Sequence, residues 1–552
     1  MRWSPVSLAV LLSALLTVVS LACRPLIPID ETRYLAVAWE MRTDGDYLVP
    51  HLGGVPYSHK PPLLFWLINL VWSVTGVEEW SARLVGPVAG MVCLVLTARL
   101  ARRLWSVDAH GTRATEEGAA LILASTSLWM MFAPMTMFDT LLSLSALAAI
   151  LGWHRAAAGD RWTGFTFAAG AIGVGLLTKG PVCLVHILPV ALGAPLWWTR
   201  DRAPRPAAWY AGVAVSVLSG AALALLWAIP AARSGGPEYG NAILWGQTAG
   251  RLTNSFAHGR PFWWYAPLIP LAFLPWSWSL AAWRGRPTPS APQDRGVRLC
   301  LLWGLASLAA LCFVSGKQIH YLIPVLPPFA LLLARHLTKR DATPGRVGVG
   351  LVGAATVVGG LMIMARPALA FLPERLTDPA LCPIGWGLPI AAVGLLLMWG
   401  ARKDRGALVD LRRVAVASIV NACLFQIAVK QGIFDHFDVT PVSRQIARLQ
   451  DRGIEILHDR AYHNEFHFAG RLTRPIASAL TAEDRDRWIR QHPDGWIVRT
   501  FESREDPELA QAADLFPYCR DFVPEWIALI PAARLGTRTT AEAIGPQETS
   551  SR

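Results

Sequence analysis

The chain has 552 residues, of which 53% are hydrophobic and 16% charged, and its mean hydropathy is +0.36. Soluble domains carry about 25% charged residues, so this composition excludes an ordinary soluble protein and indicates a membrane protein. The formal net charge is +12, but the basic residues lie in alternate connections between apolar segments. Membrane proteins keep Lys and Arg on the cytoplasmic side in this way, so the charge does not indicate nucleic-acid binding.

Apolar segments long enough to cross a bilayer recur over the first 430 residues. We predict an all-α polytopic body with about thirteen transmembrane helices, with eleven or twelve as alternatives. The segments cover residues 7–23, 80–98, 118–133, 138–153, 163–178, 181–198, 207–229, 263–283, 298–315, 319–336, 347–365, 383–400 and 414–430. The first is expected to stay uncleaved, because Cys23-Arg24-Pro25 lacks the small residues of a signal-peptide cleavage site.

The basic connections predict the orientation of the chain. They fall at residues 99–113, 155–161, 200–205, 284–298, 335–346 and 402–413, and the connections between them are poor in Lys and Arg. The N-terminus is therefore expected in the cytoplasm. The loops at 24–79 and 230–262 and the segment after residue 430 are expected on the outer face.

The composition changes after Lys430, where charged residues become frequent. We predict a transmembrane domain over residues 1–430 and a small α/β domain over residues 431–536, with a disordered tail at 537–552. Short alternations at 453–457 and 495–498 predict strands, and 442–452 and 482–491 predict helices.

Acidic residues are expected at two places on the outer membrane face, in a protein that otherwise avoids charge there. Asp30 and Glu31 begin a predicted interfacial helix whose apolar residues recur at Tyr34, Val37, Ala38 and Met41. Asp139 stands where the third segment turns into the fourth. Each acid has the alternative role of a helix cap, but two carboxylates on one face suit general-base or cation-orienting work.

Lysine is rare in this chain, with six lysines among 51 basic residues, and three of them lie at outer segment ends. Lys60 and Lys179 precede prolines that favour the first turn of a helix. A cation at a helix N-terminus opposes the helix dipole, and a bound phosphate would reverse that penalty. The alternative, strongest for Lys317, is simple interfacial anchoring.

Further polar residues lie at the outer ends of other segments. The 230–262 loop contributes Arg251, His258 and Arg260 before an aromatic belt, and the segment after Lys317 contributes His320 and Tyr321. These aromatic residues have the alternative role of membrane-interface anchors.

Five motifs occur in a characteristic order: DETRY from Asp30, VPYSHKPPLLFWL from Val55, an outer-end Asp139-Thr140, LLTKGP ending at Pro181, and KQIHYLIPVLPP from Lys317. Together they resemble the bacterial protein O-mannosyltransferase-like glycosyltransferases, and most closely their lipid A 4-amino-4-deoxy-L-arabinose transferase branch. The resemblance covers residues 1–335 well and the rest loosely. It implies a GT-C fold with interfacial helices in the first outer loop, placed in the bacterial inner membrane with the C-terminal domain in the periplasm.

The resemblance also implies roles for single residues. Asp30 matches the catalytic-base position and Asp139 the acid of the second outer loop, and Lys179 matches a phosphate-binding lysine. The implied substrate-binding residues are Glu31, Arg33, Tyr34, Tyr57, His59, Lys60, Lys179, Lys317, His320 and Tyr321, with Arg251 and His258 as candidates from the third outer loop.

His59 stands where the aminoarabinose branch has a glutamate before the KPP lysine. This departure puts a family-type metal site, and aminoarabinose as the sugar, in doubt. The chemistry requires no cofactor, because a lipid-bound phosphate is already a good leaving group. A divalent metal stays an open alternative, and the metal ligands stay unassigned.

The expected activity is transfer of a sugar from a polyprenyl-phosphate donor to a lipid A-like or other envelope acceptor, with inversion. Asp30 would accept or orient the acceptor's proton, while lysines stabilise the charge that grows on the departing phosphate. Protein O-glycosylation by the same fold is the alternative. A transporter is less favoured, because its charged residues would lie near mid-membrane within inverted repeats. The sequence leaves open the sugar, the acceptor, the length of the donor's isoprenoid chain and the oligomeric state.

Overall fold

The structure is a computed structural model that describes residues 4–105, 113–198, 205–250, 259–279, 294–338, 346–368, 382–402, 406–520 and 523–535. The chain divides into two compact units. One, the helical unit, comprises Met1–Cys23 and Tyr57–Val429, and the other, the α/β unit, comprises Arg24–Pro56 and Lys430–Arg552. The predicted first outer loop is thus shared between the two units, while the predicted domain boundaries themselves stay predictions.

Helices account for most of the described chain up to residue 250. In chain order they are α1 Ser7–Cys23, α2 Asp30–Asp44, α3 Leu63–Thr75, α4 Glu79–Ala82, α5 Val85–Leu104, α6 Ala114–Ala124, α7 Ser127–Phe132, α8 Phe138–Ala157, α9 Arg161–Lys179, α10 Val182–Leu192, α11 Pro206–Ser234 and α12 Gly236–Asn241. A π-helical stretch, Ala242–Gly250, follows α12. The predicted span at 118–133 is therefore divided between α6 and α7.

The rest of the helical unit follows the same pattern. Its helices are α13 Leu268–Ala272, α14 Arg295–Phe313, α15 Leu326–Thr338, α16 Arg346–Ala365, α17 Gly387–Ala401 and α18 Ala407–Ala428. Shorter 3₁₀ turns occur at Ala194–Leu196, Trp276–Trp278, Ile319–Val325, Arg366–Ala368 and Ile384–Trp386. The described part of the predicted span at 263–283 is irregular, because only α13 and one 3₁₀ turn form there.

Six helical segments among the described residues are long and apolar enough to cross a membrane. They are Glu79–Leu104, Pro206–Ser234, Arg295–Phe313, Ile319–Thr338, Gly348–Ala368 and Ile384–Ala401. Ser7–Cys23, Leu63–Thr75 and Val182–Leu192 are shorter apolar helices. The predicted mostly helical architecture with a small sheet is confirmed, and the count of about thirteen spans stays a prediction.

Helices α8 and α9 pack closely against each other. A Cβ added to Gly152 would lie 2.7 Å from the carbonyl oxygen of Gly164, and one added to Gly164 would lie 2.6 Å from that of Gly152. Small residues allow this close backbone approach between helices. Since the two helices are joined by a short turn, the start of α8 and the end of α9 lie at the same end of the pair.

The α/β unit contains a two-stranded hairpin, β1 His51–Leu52 and β2 Val55–Pro56, and a five-stranded sheet. The sheet strands are β3 Ile456–His458, β4 Ala477–Ser478, β5 Trp496–Phe501, β6 Asp514–Arg520 and β7 Val523–Pro531, in the order β4-β3-β5-β7-β6. Strand β3 runs parallel to β4 and β5, whereas β7 runs antiparallel to β5 and β6.

Helices α19 Thr440–Asp451, α20 His467–Gly470, α21 Ala482–Gln491 and α22 Ala532–Leu535, with 3₁₀ turns Phe434–His436 and Pro507–Gln511, complete this unit. Helix α19 buries Val442, Ile446 and Leu449, whose spacing puts them on one face. They join Ile456 and Val498 of the sheet in one hydrophobic core. The predicted helices at 442–452 and 482–491 and strands at 453–457 and 495–498 thus correspond to α19, α21, β3 and β5.

Candidate active site

Asp139 lies in the first turn of α8 and its carboxylate is buried, with 3% of the side chain exposed. The helix begins after Met137, and no side-chain hydrogen bond caps it. Instead, Lys179 Nζ donates to Asp139 Oδ1 at 2.6 Å. The structure therefore does not use Asp139 as a cap. Burying a charged pair is costly, and buried charges of this kind tend to mark functional sites.

Lys179 is the last residue of α9, so its charge lies at a helix C-terminus, where the dipole favours a cation. Lys179 also precedes α10, which begins at Val182 as the sequence predicts, so its charge lies between the C-terminus of one helix and the N-terminus of the next. Gly180 has φ +67°, which permits the turn into α10. The ammonium also lies 4.4 Å from the ring centroid of Tyr321, a cation–π distance.

His320 and Tyr321 reach Asp139 and Lys179 from the 3₁₀ turn Ile319–Val325. His320 Nε2 lies 3.8 Å from Asp139 Oδ2, within ion-pair range but too far for a hydrogen bond. The His320 ring packs edge-on against Tyr321 and also contacts Phe132. The structure thus joins Asp139, Lys179, His320 and Tyr321 into one cluster, which we call the Asp139 cluster.

Lys60 belongs to the electrostatic environment of this cluster, since its charge acts on the Asp139 carboxylate. Its Nζ lies 5.8 Å from the ring centroid of Phe138. The charges of Lys60 and Lys179 thus both act on the Asp139 carboxylate. Ammonium groups beside helix ends are suited to an anionic ligand.

Aromatic packing holds the segment that carries Lys60. The Tyr57 ring is buried, lies 5.2 Å from the His59 ring and packs edge-on against Phe65. Phe65 in turn packs edge-on against Phe138, the neighbour of Asp139. The predicted donor-side residues Tyr57, His59 and Lys60 are therefore connected to the Asp139 cluster by a continuous series of ring contacts.

Lys317 is bound differently from Lys60 and Lys179. Its side chain is buried, and Nζ donates to the carbonyl oxygen of Arg260 at 3.0 Å and to that of Val314. Gly259 and Gly316 form a β-bridge beside it. Two backbone carbonyls thus use the ammonium, an arrangement that favours anchoring of the chain over phosphate binding.

The α/β unit holds a second group of predicted site residues around Asp30, the first residue of α2. No side-chain hydrogen bond caps this helix. Asp30 Oδ1 instead accepts hydrogen bonds from Arg33 at 2.5 Å and from the Tyr34 hydroxyl at 3.2 Å. With 34% of its side chain exposed, Asp30 presents a carboxylate that is oriented by two donors and accessible from solvent.

Glu31 points the other way and has no exposed side-chain surface. Its carboxylate pairs with Arg24, which is also buried, and accepts the backbone N–H of Ile27 at 3.1 Å. The burial favours a structural role in the first turn of α2, so the predicted substrate contact of Glu31 stays untested.

Two predicted candidates, Arg251 and His258, lie outside the described residues. Within the part of the chain that the structure describes, no three His, Cys, Asp or Glu side chains are placed to hold a metal ion together. The ligands of a metal ion therefore stay unassigned.

Sequence reasoning missed two residues beside the Asp139 cluster. Tyr265 is buried, and its hydroxyl donates to the carbonyl oxygen of Gln318 at 3.1 Å, which supports the turn that carries His320. His186 on α10 is buried and subject to the charges of Lys179 and Asp139. In the sequence Tyr265 belongs to an aromatic run typical of an interfacial belt, and His186 lies inside an apolar run without a motif around it.

Comparison with known proteins identifies a family and a solved structure that this chain resembles. Residues 59–227 match the family described as dolichyl-phosphate-mannose-protein mannosyltransferase. The crystal structure of ArnT from Cupriavidus metallidurans bound to undecaprenyl phosphate superposes with a TM-score of 0.72, covering 98% of this chain and 99% of that one at 19% identity. The chain therefore has the fold of ArnT.

Sequence relatives lead to the same group of proteins. A Pseudomonas aeruginosa protein named undecaprenyl phosphate-alpha-4-amino-4-deoxy-L-arabinose arabinosyl transferase is 34% identical over 365 residues, which span 63% of this chain and 61% of the relative. A protein of the same name from Enterobacter sp. is 28% identical over 68% of each chain. The resemblance to the protein O-mannosyltransferase-like proteins, and to their aminoarabinose transferase branch, is confirmed.

Proposed function

We propose that this protein is a membrane glycosyltransferase that transfers a sugar from a polyprenyl-phosphate donor to a lipid A-like or other envelope acceptor on the periplasmic face. The observation that carries the proposal is the Asp139 cluster, in which Asp139 holds the ammonium of Lys179 in a buried ion pair and the charge of Lys60 acts on the same carboxylate. Lysine ammonium groups of this kind are suited to a lipid phosphate. The fold of ArnT and the names of the sequence relatives support the same substrate class.

We assign Lys60 and Lys179 to the donor phosphate and Asp139 to the orientation of Lys179, through the 2.6 Å hydrogen bond. A lysine that is held in advance stabilises developing charge without reorganising during the reaction. His320 and Tyr321 are the other two members of this cluster. Lys317 is assigned to the scaffold, because its ammonium is used by backbone carbonyls.

We assign Asp30 as the general base of the same reaction. The acceptor oxygen attacks the anomeric carbon from the face opposite the lipid phosphate. A new C–O bond forms, the bond to the phosphate oxygen breaks, and polyprenyl phosphate leaves with the electron pair. The acceptor's proton passes to Asp30, whose carboxylate is oriented by Arg33 and Tyr34. One displacement at this carbon inverts its configuration.

The proposal includes the finer architecture predicted from the sequence. About thirteen helices cross the bacterial inner membrane, with the N-terminus in the cytoplasm and the C-terminal domain in the periplasm. Neither a nucleotide nor an obligatory metal takes part, since the donor already carries its leaving group.

A protein is the second candidate acceptor, because the matching family is described by a protein mannosyltransferase activity. The experiment that tests the function is lipid and glycoprotein mass spectrometry of a deletion strain. We expect accumulation of a polyprenyl-phosphate sugar together with a lipid acceptor that lacks this sugar. Loss of the sugar from a protein instead would select the second class, and unchanged lipids and proteins would contradict the proposal.

A further inference from the structure

Helix α2, which carries Asp30, is part of the α/β unit and packs against α20. In its first turn, Glu31 pairs with Arg24 and bonds to Ile27. The other half of the helix contacts C-terminal residues. There, Trp39 Nε1 donates to the carbonyl oxygen of Leu472 at 2.9 Å.

Arg471, the residue before Leu472, also contacts Trp39. Its guanidinium lies 3.9 Å from the ring centroid of Phe468 and 5.7 Å from that of Trp39. One of its nitrogens also donates to the carbonyl oxygen of Phe468. Its backbone has φ +53°, a left-handed conformation that is unfavourable for a residue with a Cβ. An arginine therefore occupies a position that a glycine would fill with less strain.

The neighbouring Glu40 fixes the same half of α2 to the hairpin. Its carboxylate accepts the backbone N–H of Gly53 at 2.7 Å and that of Gly54. Gly53 in turn lies against the C-terminal residues, because a Cβ added there would be 2.9 Å from Asn464 Nδ2. Two adjacent residues, Trp39 and Glu40, thus both fix this half of the helix within its unit.

We propose that Trp39 and Arg471 are positioning residues that hold α2, and through it Asp30, in the orientation required for sugar transfer. The inference rests on the proposed function, in which Asp30 accepts the acceptor's proton. Trp39 lies nine positions after Asp30, which is about 13 Å along a helix. Because a helix moves as a rigid element, a small tilt at Trp39 displaces the carboxylate.

This inference also gives the C-terminal α/β domain a role in catalysis. Residues more than 430 positions after Asp30 hold the helix that carries it. Exposed cation–π contacts are individually weak, so the effect is expected in the rate of reaction rather than in the folding of the domain.

The test uses two substitutions in the full-length protein. Arg471→Gly removes the guanidinium and suits the left-handed backbone, so the α/β unit should keep its thermal stability. Trp39→Phe removes the indole N–H and keeps an aromatic ring. Each should lower kcat about tenfold, since misplacement of a reacting group by about 1 Å costs up to a hundredfold. The donor KM and the shape of the pH profile should not change.

Arg448→Ala is the matched control, because Arg448 bonds to Gln445 on the exposed face of α19, and it should leave kcat unchanged. The double variant of Trp39 and Arg471 should lose less than the product of the two single losses, since both residues act through one contact. Wild-type kcat in both single variants, alongside an inactive Asp30→Asn protein, would overturn the positioning role alone. Full activity of Asp30→Asn would overturn the proposed base, and the positioning role with it.

Discussion

Substitutions in the ion pair between Asp139 and Lys179 can distinguish a structural role of the Asp139 cluster from a chemical one. The side chains are 3% and 10% exposed and 2.6 Å apart. Lys179→Met would leave a buried carboxylate without its partner, which costs about 3–5 kcal/mol of stability. That corresponds to a shift of roughly a hundredfold to several thousandfold in the unfolding equilibrium.

Adding Asp139→Asn to Lys179→Met removes the stranded charge. The double variant should therefore recover most of the lost stability, because replacing both members of a buried pair is often close to neutral. Its activity should stay low, by about 10²–10³-fold, the usual cost of removing one preorganised donor from a site of developing charge. The double variant is thus predicted to recover its stability without recovering its activity.

The assay measures the midpoint of thermal unfolding and the rate of sugar transfer on the same detergent-solubilised preparations of wild type, both single variants and the double variant. Lys179→Arg is added as a charge-conserving comparison, and it should lose most activity because a planar guanidinium does not replace an ammonium in a tight site. If activity returns together with stability in the double variant, the pair is structural only and the phosphate assignment falls.

Four further outcomes are expected. Asp30→Asn should lower transfer by about 10²–10⁴-fold with unchanged expression, and near-normal turnover would leave Asp30 only its contacts with neighbours. Lys60→Arg should lose most activity, whereas Lys317→Arg should mainly lower the unfolding midpoint; equal behaviour of the two variants would contradict their separate assignments. Burial lowers the pKa of His467 to about 4. As pH falls, His467 therefore takes up a proton at a higher pH in the unfolded state than in the folded state. About 3 kcal/mol of local stability should be lost as pH falls from 6.5 to 4. Hydrogen exchange in α20 should show this loss, and His467→Gln should abolish it. A reporter fused after Arg552 should be active only in its periplasmic form, and a cytoplasmic signal would change the predicted span count by one.

The local features of this fold were largely predictable from the sequence. Helix α21 was predicted with its observed bounds, 482–491, because a threonine cap, early acids and a following Gly-containing turn define it. Strands β6 and β7 were missed. Strand β6 contains Pro517, and Pro is unfavourable in most strands, while β7 has an apolar run without clear alternation.

Long-range pairing was the part that sequence could not supply. Asp139 and Lys179 were placed on one face of the membrane by topology, but a hydrogen bond across 40 residues requires the packing of α8 on α9. The different use of Lys317 could not be predicted either, since backbone carbonyls accept its hydrogen bonds and leave no sequence signal. The same holds for Trp39 and Leu472, whose contact spans 433 positions.

The central claim is that a polyprenyl-phosphate sugar is the direct donor, and reconstituted enzyme tests it most directly. Purified protein in liposomes is given a defined undecaprenyl-phosphate sugar and a lipid A acceptor, without nucleotide, and both products are measured by mass spectrometry. The account predicts one undecaprenyl phosphate released for each sugar that appears on the acceptor, with the configuration at the anomeric carbon inverted. No transfer from this class of donor, or transfer only when a nucleotide sugar is supplied, would contradict it.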